Sequence, residues 1–275
     1  MKELSLKEVQ KVEFENLKVI HQICQKEKIT YYLAYGTLLG AIREKGFIPW
    51  DDDTDIWMPR KDYERFAKYC EENADKIKPF KLCNRENTKN YPYGLARFAN
   101  QSYKYVVTNK TEQQFELGVF TDIYPLDNFG NDDNIEDMKK MSKYIGSKNI
   151  AYIKYCSLDA ISPVKSFLKK FQYVLLHLIH GSNYSRKIDQ EIMNTVDKYT
   201  SDNDLYIGVP TWDNQTFFRH KKNNFKSAVL KKFENAEFYV PQGYDQILKD
   251  VYGNYMELPP ESERHPYHGY KIYKR

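Results

Sequence analysis

The 275-residue chain has only four cysteines, Cys24, Cys70, Cys83 and Cys156, far apart and without a Cys-x-x-Cys pair. That spacing excludes a zinc ribbon or a disulfide framework and suits a reducing compartment. No apolar stretch approaches the roughly 20 residues of a membrane span, and residues 1–28 are too charged to form a secretory signal. The chain therefore reads as cytoplasmic. Repeats, low-complexity tracts and linker-like segments are also missing. The expectation is a single catalytic domain over 1–275, with a core over about 1–130 and a mainly helical part over about 131–275. A strong charge of one sign is lacking too: 42 Lys/Arg against 38 Asp/Glu give +4. Residues 1–150 hold 24 of each, so the excess lies in the remainder, with 18 (42 − 24) against 14 (38 − 24). Such a bias suits phosphates, anionic glycans or a membrane surface without choosing among them. No nucleic-acid partner is expected.

Tyrosine is abundant, at 24 residues, and supplies amphipathic rings for pockets or interfaces. Apolar residues at Leu6, Val9, Val12, Leu17, Ile20 and Ile23 predict an amphipathic helix over Leu4–Lys28. A short strand follows over Thr30–Tyr35, a turn at Gly36-Thr37, and a short helix over Leu38–Glu44. Alternation over Asp53–Met58 predicts a strand, and Arg60–Asn73 a helix. Further strands are expected at Phe80–Cys83, Leu95–Ala99, Tyr103–Val107 and Phe115–Tyr124, the last closed by Pro125. After the acidic loop Asn128–Asn134 the chain reads as mainly helical from Ile135, interrupted at Pro210 and Asp213–Gln215. A final amphipathic helix is expected over Gly243–Met256.

The chemistry concentrates in two neighbouring segments, Tyr32 to Arg43 and Phe47 to Trp57. A Gly-Thr turn opening a helix offers free N–H groups to a phosphate, and carboxylates on one surface offer oxygens to a divalent metal. Within a strand Asp53 and Asp55 face one way, their Cα atoms roughly 6.6 Å apart, so their oxygens can converge on one or two ions. Asp51 has the same parity and supports from behind; Asp52 points elsewhere if the strand has begun. A third acid is expected at Asp122, because an aspartate in the apolar strand Val119-Phe-Thr-Asp-Ile-Tyr is costly to bury unless paired or metal-bound. Many aspartate runs are merely solvated loops, but Trp50 and Ile56-Trp57 embed this one in apolar sequence. An EF-hand is excluded, since its glycine and distal glutamate are missing.

These residues resemble the LicD family of phosphocholine transferases, kin to the fukutin-related proteins in the nucleotidyltransferase-fold superfamily. The resemblance rests on Tyr-Gly-Thr-Leu-Leu-Gly-Ala-Ile-Arg (35–43), Gly-Phe-Ile-Pro-Trp-Asp-Asp-Asp-x-Asp-Ile (46–56), Met-Pro-Arg-x-Asp-Tyr-Glu-Arg-Phe (58–66) and Asp-Ile-Tyr-Pro-Leu-Asp (122–127). It resumes near the end in Leu-Lys-Asp-Val-Tyr-Gly-Asn-Tyr-Met-Glu-Leu-Pro-Pro (248–260), while about 130–215 is not diagnostic. The resemblance implies an α+β fold, a nucleotidyltransferase-like mixed β-sheet flanked by helices. It implies transfer of phosphocholine from CDP-choline to a sugar hydroxyl of a surface glycan such as teichoic acid, lipopolysaccharide or a capsule precursor, releasing CMP. Carried over by position, Gly36 and Thr37 would meet donor phosphate and Arg43 would neutralise the diphosphate, with Asp51 nearby. Asp53 and Asp55 would hold Mg2+, as one ion or two with Mn2+ able to substitute, and Asp122 would be a further ligand or the base. Glu44 departs from the basic or polar residue common at that position. The alternatives are attack on the α-phosphate of a nucleoside triphosphate, or another donor such as CDP-ribitol. A non-catalytic glycan-binding protein is the third.

A quaternary ammonium is best held by aromatic faces, for which Trp50, Trp57 and Trp212 are candidates. The run Phe217–Phe233 carries Arg219, Lys221, Lys222, Lys226, Lys231 and Lys232 with no acid among them; it reads either as a dock for anionic glycan or lipid head groups or as a solvated surface. Phe167–Ile179 is the most apolar run. It is expected to be a buried helix, with a membrane interface at the inner face as the alternative. His265 and His268 are left without a role.

Overall fold

The computed structural model describes residues 2–88, 91, 93–107, 117–137, 139–140, 163–181, 184–198, 205–209, 219–266 and 270–275. The expectations at 115–116, at Cys156, Pro210, Trp212 and Asp213–Gln215, at His268 and for a helix between 141 and 162 lie outside them.

Helix α1 (Leu6–Glu27) starts where Ser5 donates its backbone N–H to the Glu8 carboxylate at 2.8 Å, a reciprocal cap. It ends at Lys28, whose left-handed φ of 52° returns its N–H to the last turn. Its apolar face, including Leu17 and Ile20 at 0% exposure, packs on the main sheet. That sheet has strand order β1-β2-β6-β4-β3, from β1 (Tyr32–Leu33), β2 (Thr54–Pro59), β3 (Phe80–Cys83), β4 (Ala96–Asn100) and β6 (Val119–Asn128). Only β2 and β6 are parallel; their neighbours run antiparallel, so the sheet is mixed. Helices α2 (Tyr35–Arg43) and α3 (Arg60–Glu72) pack against β2. β5 (Tyr103–Val107) pairs instead with the C-terminal β11 (Tyr270–Lys274). The chain is thus α+β, with a mixed sheet flanked by helices.

β6 runs four residues beyond the expected stop at Tyr124, through Pro125. The proline is tolerated because β4 pairs only up to Ile123 and β7 (Tyr206–Gly208) begins at Asp127, so among the described residues one side of β6 has no strand partner at that point. α2 begins at Tyr35 rather than Leu38, which draws Gly36 and Thr37 into its first turn.

The C-terminal part contains helices α4 (Pro163–His180), α5 (Tyr184–Lys198) and α6 (Tyr244–Tyr252), and strands as well. β8 (Arg219–Lys221) pairs with β7, and β9 (Ala228–Phe233) forms a hairpin with β10 (Ala236–Pro241). The hairpin carries no Asn-Gly or Asp-Gly turn. It turns at Glu234-Asn235, with Glu234 at a φ of 56°, which hid it from a reading based on turn residues. Phe233 and Phe238, both 0% exposed, anchor the hairpin in the core beside Phe14. The apolar run of α4, expected to be buried, is exposed: spacing reveals that a stripe exists, not what it faces.

Candidate active site

The register of β2 against β6 builds the site. Thr54 pairs with Thr121 and Asp55 with Asp122. On one face the two threonine hydroxyls hydrogen-bond at 2.7 Å, both fully buried. On the opposite face Asp55 and Asp122 therefore stand side by side on adjacent strands, roughly 4.8 Å apart along the ladder. The wide sequence separation of the two acids closes to one strand spacing, as expected for the third acid.

β4 lies on the other side of β6 and places Arg97 opposite Asp122. Arg97 Nε donates to Asp122 Oδ1 at 2.8 Å, and the guanidinium sits 4.1 Å from the centres of both the Tyr93 and Phe120 rings. Sequence reasoning missed this arginine. Its only signal was a lone cation in the apolar strand Leu95–Ala99.

The remaining aspartates come from the loop leading into β2. Asp51, Asp52 and Asp53 each present a carboxylate oxygen within 4.8 Å of the others. Asp52 was expected to point elsewhere only if the strand had already begun; β2 starts at Thr54, so alternation does not govern it. Two elements fasten this loop. Gln10 of α1 donates to the Asp51 carbonyl at 2.8 Å and to the Ile48 carbonyl at 3.3 Å, and the Tyr270 hydroxyl of β11 donates to the Asp52 carbonyl.

α1 also contributes Glu13, which sequence reasoning did not single out. It is 2% exposed, and its Oε2 has no hydrogen-bond partner. Burial raises its carboxyl well above 4.5, and the charges of Asp53, Asp51, Asp52 and Asp55 push it in the same direction. The available signal was an acid one position after Val12 on the buried stripe of α1.

Asp55 is likewise raised well above its ordinary value, by burial first and then by Asp53, Asp122 and Asp51; a hydrogen bond from Tyr124 opposes the shift. Its Oδ1 has no partner. Carboxylates crowded together with buried orphan oxygens are costly unless a cation faces them. An all-oxygen donor set suits Mg2+ or Mn2+ rather than a soft metal. The residues present therefore fit a divalent ion, with Asp53 and Asp55 flanked by Asp51, Asp52 and Glu13.

The first turn of α2 closes the site from one side. Thr37, 4% exposed, accepts the Asp55 backbone N–H on its Oγ1 at 2.8 Å and so fixes the height of Asp55. At Gly36 a Cβ would lie 2.7 Å from Asp51 Oδ2, so only glycine lets that carboxylate approach the helix terminus. Tyr35 has a φ of 42°, in a region that bulky residues avoid, and its ring packs on Trp57 and Tyr124 at 4.9 and 5.1 Å.

Arg43 does not join this group. It lies at the far end of α2, about 12 Å along the axis from Tyr35 at 1.5 Å per residue. Its Nε bonds Glu44 at 2.7 Å, and it donates to the Tyr255 and Glu257 carbonyls at 3.2 and 3.4 Å. The structure gives it the work of tying α2 to the segment after α6, in place of the expected diphosphate contact, and Glu44 is its partner.

Of the aromatic candidates, Trp57 is buried in the core against Tyr35, His220 and Phe225 and cannot meet a ligand. Trp50 is partly exposed under the Arg264 guanidinium. Tyr252 of α6 is 41% exposed, yet its hydroxyl is raised by burial and by Asp55, Asp51, Tyr35 and Asp53. At the other end of β2 and β6 lies a cavity of about 1210 Å³, where Arg60 grips Asp127 at 2.5 and 2.8 Å and Lys221, Lys222 and Lys226 of the basic run contribute to the wall.

A parallel strand pair bearing acids in register, fed by an aspartate-rich loop and a short helix, defines this as a nucleotidyltransferase-type domain. The family model described as LicD/FKTN/FKRP, nucleotidyltransferase domain, matches residues 28–149, the span that carries β1 to β6, α2 and α3. Over 282 aligned residues the chain is 30% identical to the lipopolysaccharide cholinephosphotransferase LicD of Haemophilus influenzae, covering 99% of both proteins. Uncharacterized proteins of Rickettsia typhi and Rickettsia prowazekii match shorter stretches, 42% identical over 55 residues and 43% over 49, which are 20% and 18% of this chain and 18% of each relative. The chain belongs to the LicD family.

Proposed function

We propose that this chain transfers phosphocholine from CDP-choline to a sugar hydroxyl of a cell-surface glycan and releases CMP. The full-length likeness to a lipopolysaccharide cholinephosphotransferase carries the reading. The acids aligned on β2 and β6 support it, because they suit the chemistry such a transfer needs. Asp53 and Asp55, with Asp51 and Asp52 beside them, are the residues that would hold Mg2+. A bound cation there supplies neutralisation of the diphosphate oxygens and of the charge developing on departing CMP.

The chain's own side chains do the rest. Thr37 and Gln10 hold Asp55 and the aspartate loop at fixed positions, so little reorganisation is needed when the donor binds. Arg97 fixes Asp122 through Oδ1 and leaves Oδ2 for the acceptor. In the proposed step the sugar oxygen forms a bond to the phosphocholine phosphorus, its proton passes to Asp122, and the bond from phosphorus to the CMP oxygen breaks. Tyr252, partly exposed on α6, offers an aromatic face of the kind a quaternary ammonium favours. The cavity beyond Arg60 is lined by both lysines and aspartates, a mixed polar wall of the kind that hydrogen-bonds sugar hydroxyls. Work on the glycan before export would place the protein on the cytoplasmic side.

Mass spectrometry of the leaving group, CMP from CDP-choline or CDP-ribitol and pyrophosphate from ATP, each with and without Mg2+, tests this. The expected result is Mg2+-dependent CMP release from CDP-choline. Turnover of ATP or CDP-ribitol alone would replace the donor, and equal rates without a divalent ion would remove the metal.

A further inference from the structure

The transferase reading makes no use of α4, and this helix has an unusual surface. Val164, Phe167, Leu168, Phe171, Leu178 and Ile179 are each 57–78% exposed, with Val174 and Leu175 at 45% continuing the row between them. At ~100° per residue these positions fall within about 140° of the helix circumference. They form one continuous apolar stripe that faces outward instead of into the core. The opposite side, with Tyr173, Leu176 and His177, is the less exposed one, and α4 touches α5. Soluble proteins seldom expose an apolar surface of this extent unless something covers it.

We propose that α4 docks this protein on an anionic phospholipid surface, with the stripe in the boundary between head groups and acyl chains. Charge selects this occupant. The 18 residues of α4 include three lysines, two histidines and no aspartate or glutamate. By helical position Lys170 lies about 40° beyond one edge of the stripe and the exposed Lys169 about 80° beyond the other, and lysine stems are long enough to run along apolar surface with the charge turned toward the head groups. The stripe offers no row of polar groups through which a protein partner would be selected. Among the described residues no helix is long and apolar enough to cross a membrane. A helix of this length, about 27 Å, lies in the interface and does not span it. The inference is independent of which donor or acceptor the active site uses.

Cosedimentation with vesicles of phosphatidylglycerol and phosphatidylcholine, against vesicles of phosphatidylcholine alone, tests it. The expected result is binding to the anionic vesicles that is several-fold stronger than to the neutral ones and falls with added salt. The double variant Phe171→Asp/Leu178→Asp should bind at least tenfold less, with an unchanged far-ultraviolet circular dichroism spectrum. If that variant proves misfolded, Phe171→Trp decides instead, through a blue shift of its emission on adding anionic vesicles. Failure of the wild type to bind anionic vesicles at low salt, or undiminished binding by the folded double variant, would overturn the proposal. So would a dimer that buries the stripe, seen by light scattering, in a protein that ignores vesicles.

Discussion

Thr37 stands where two physical roles make different predictions. Its position in the first turn of α2 suits a contact to donor phosphate, while its Oγ1 accepts the buried Asp55 N–H at 2.8 Å. Thr37→Val keeps the shape and removes the acceptor. If the hydrogen bond is what matters most, the Asp55 N–H is left buried and unpaired, at a cost of about 1–3 kcal/mol. At roughly 2–4 °C per kcal/mol for a chain of this size, Tm should fall by several degrees in the absence of any ligand. Asp55 would also lose its anchor, so turnover should fall with it. Thr37→Ser keeps the oxygen and should recover most of both. Thermal unfolding of the three proteins without nucleotide or metal, followed by steady-state kinetics, separates the cases. A Thr37→Val protein as stable as wild type, with only a raised KM for the donor, would refute the anchoring role and leave the phosphate contact alone.

Two further substitutions probe the same cluster. Folding raises the Glu13 carboxyl well above 4.5, so the metal-free native state binds its proton more tightly than the unfolded chain does. Stability should therefore decline as pH rises above the ordinary carboxylate range, and Glu13→Gln should flatten the decline; a variant with the wild-type slope in urea titrations would contradict this. Asp55, shifted in the same direction, accounts for the slope that remains. Gly36→Ala places a methyl group 2.7 Å from Asp51 Oδ2, at the far end of a side chain rather than against backbone. Its Tm should change by less than about 2 °C, since no core contact is lost, while divalent-ion affinity drops; unchanged affinity would place Asp51 outside the ion's surroundings.

The parts of the site that follow chain-local rules were legible in the sequence. The cost of burying an acid in an apolar strand marked Asp122, which the structure sets opposite Asp55, whereas Asp53, expected on the strand with Asp55, lies in the loop just before β2. What escaped was set by pairing between distant elements. Arg97 matters because β4 runs antiparallel beside β6, and nothing near residue 97 announces that register. Glu13 looks like an ordinary helix acid until α1 is laid against the aspartate loop. Asp52 depended on where the strand begins, which composition does not fix; β2 starts two residues later, at Thr54, so alternation does not reach it. Arg43 was assigned to the phosphates from its place in the motif, whereas the length of α2 carries it to the opposite end. The β9–β10 hairpin shows the same limit, since its turn uses residues with no strong turn preference.

The account rests on the carboxylates of β2 and its approach loop sharing a divalent cation. Titration of the protein with Mn2+, read by electron paramagnetic resonance of the free ion, measures that sharing without a donor or an acceptor. One or two bound ions are expected in the wild type, competed by Mg2+, with affinity at least tenfold weaker in Asp55→Asn. A wild-type protein that leaves Mn2+ free in solution, or an Asp55→Asn protein that binds it equally well, would contradict the claim.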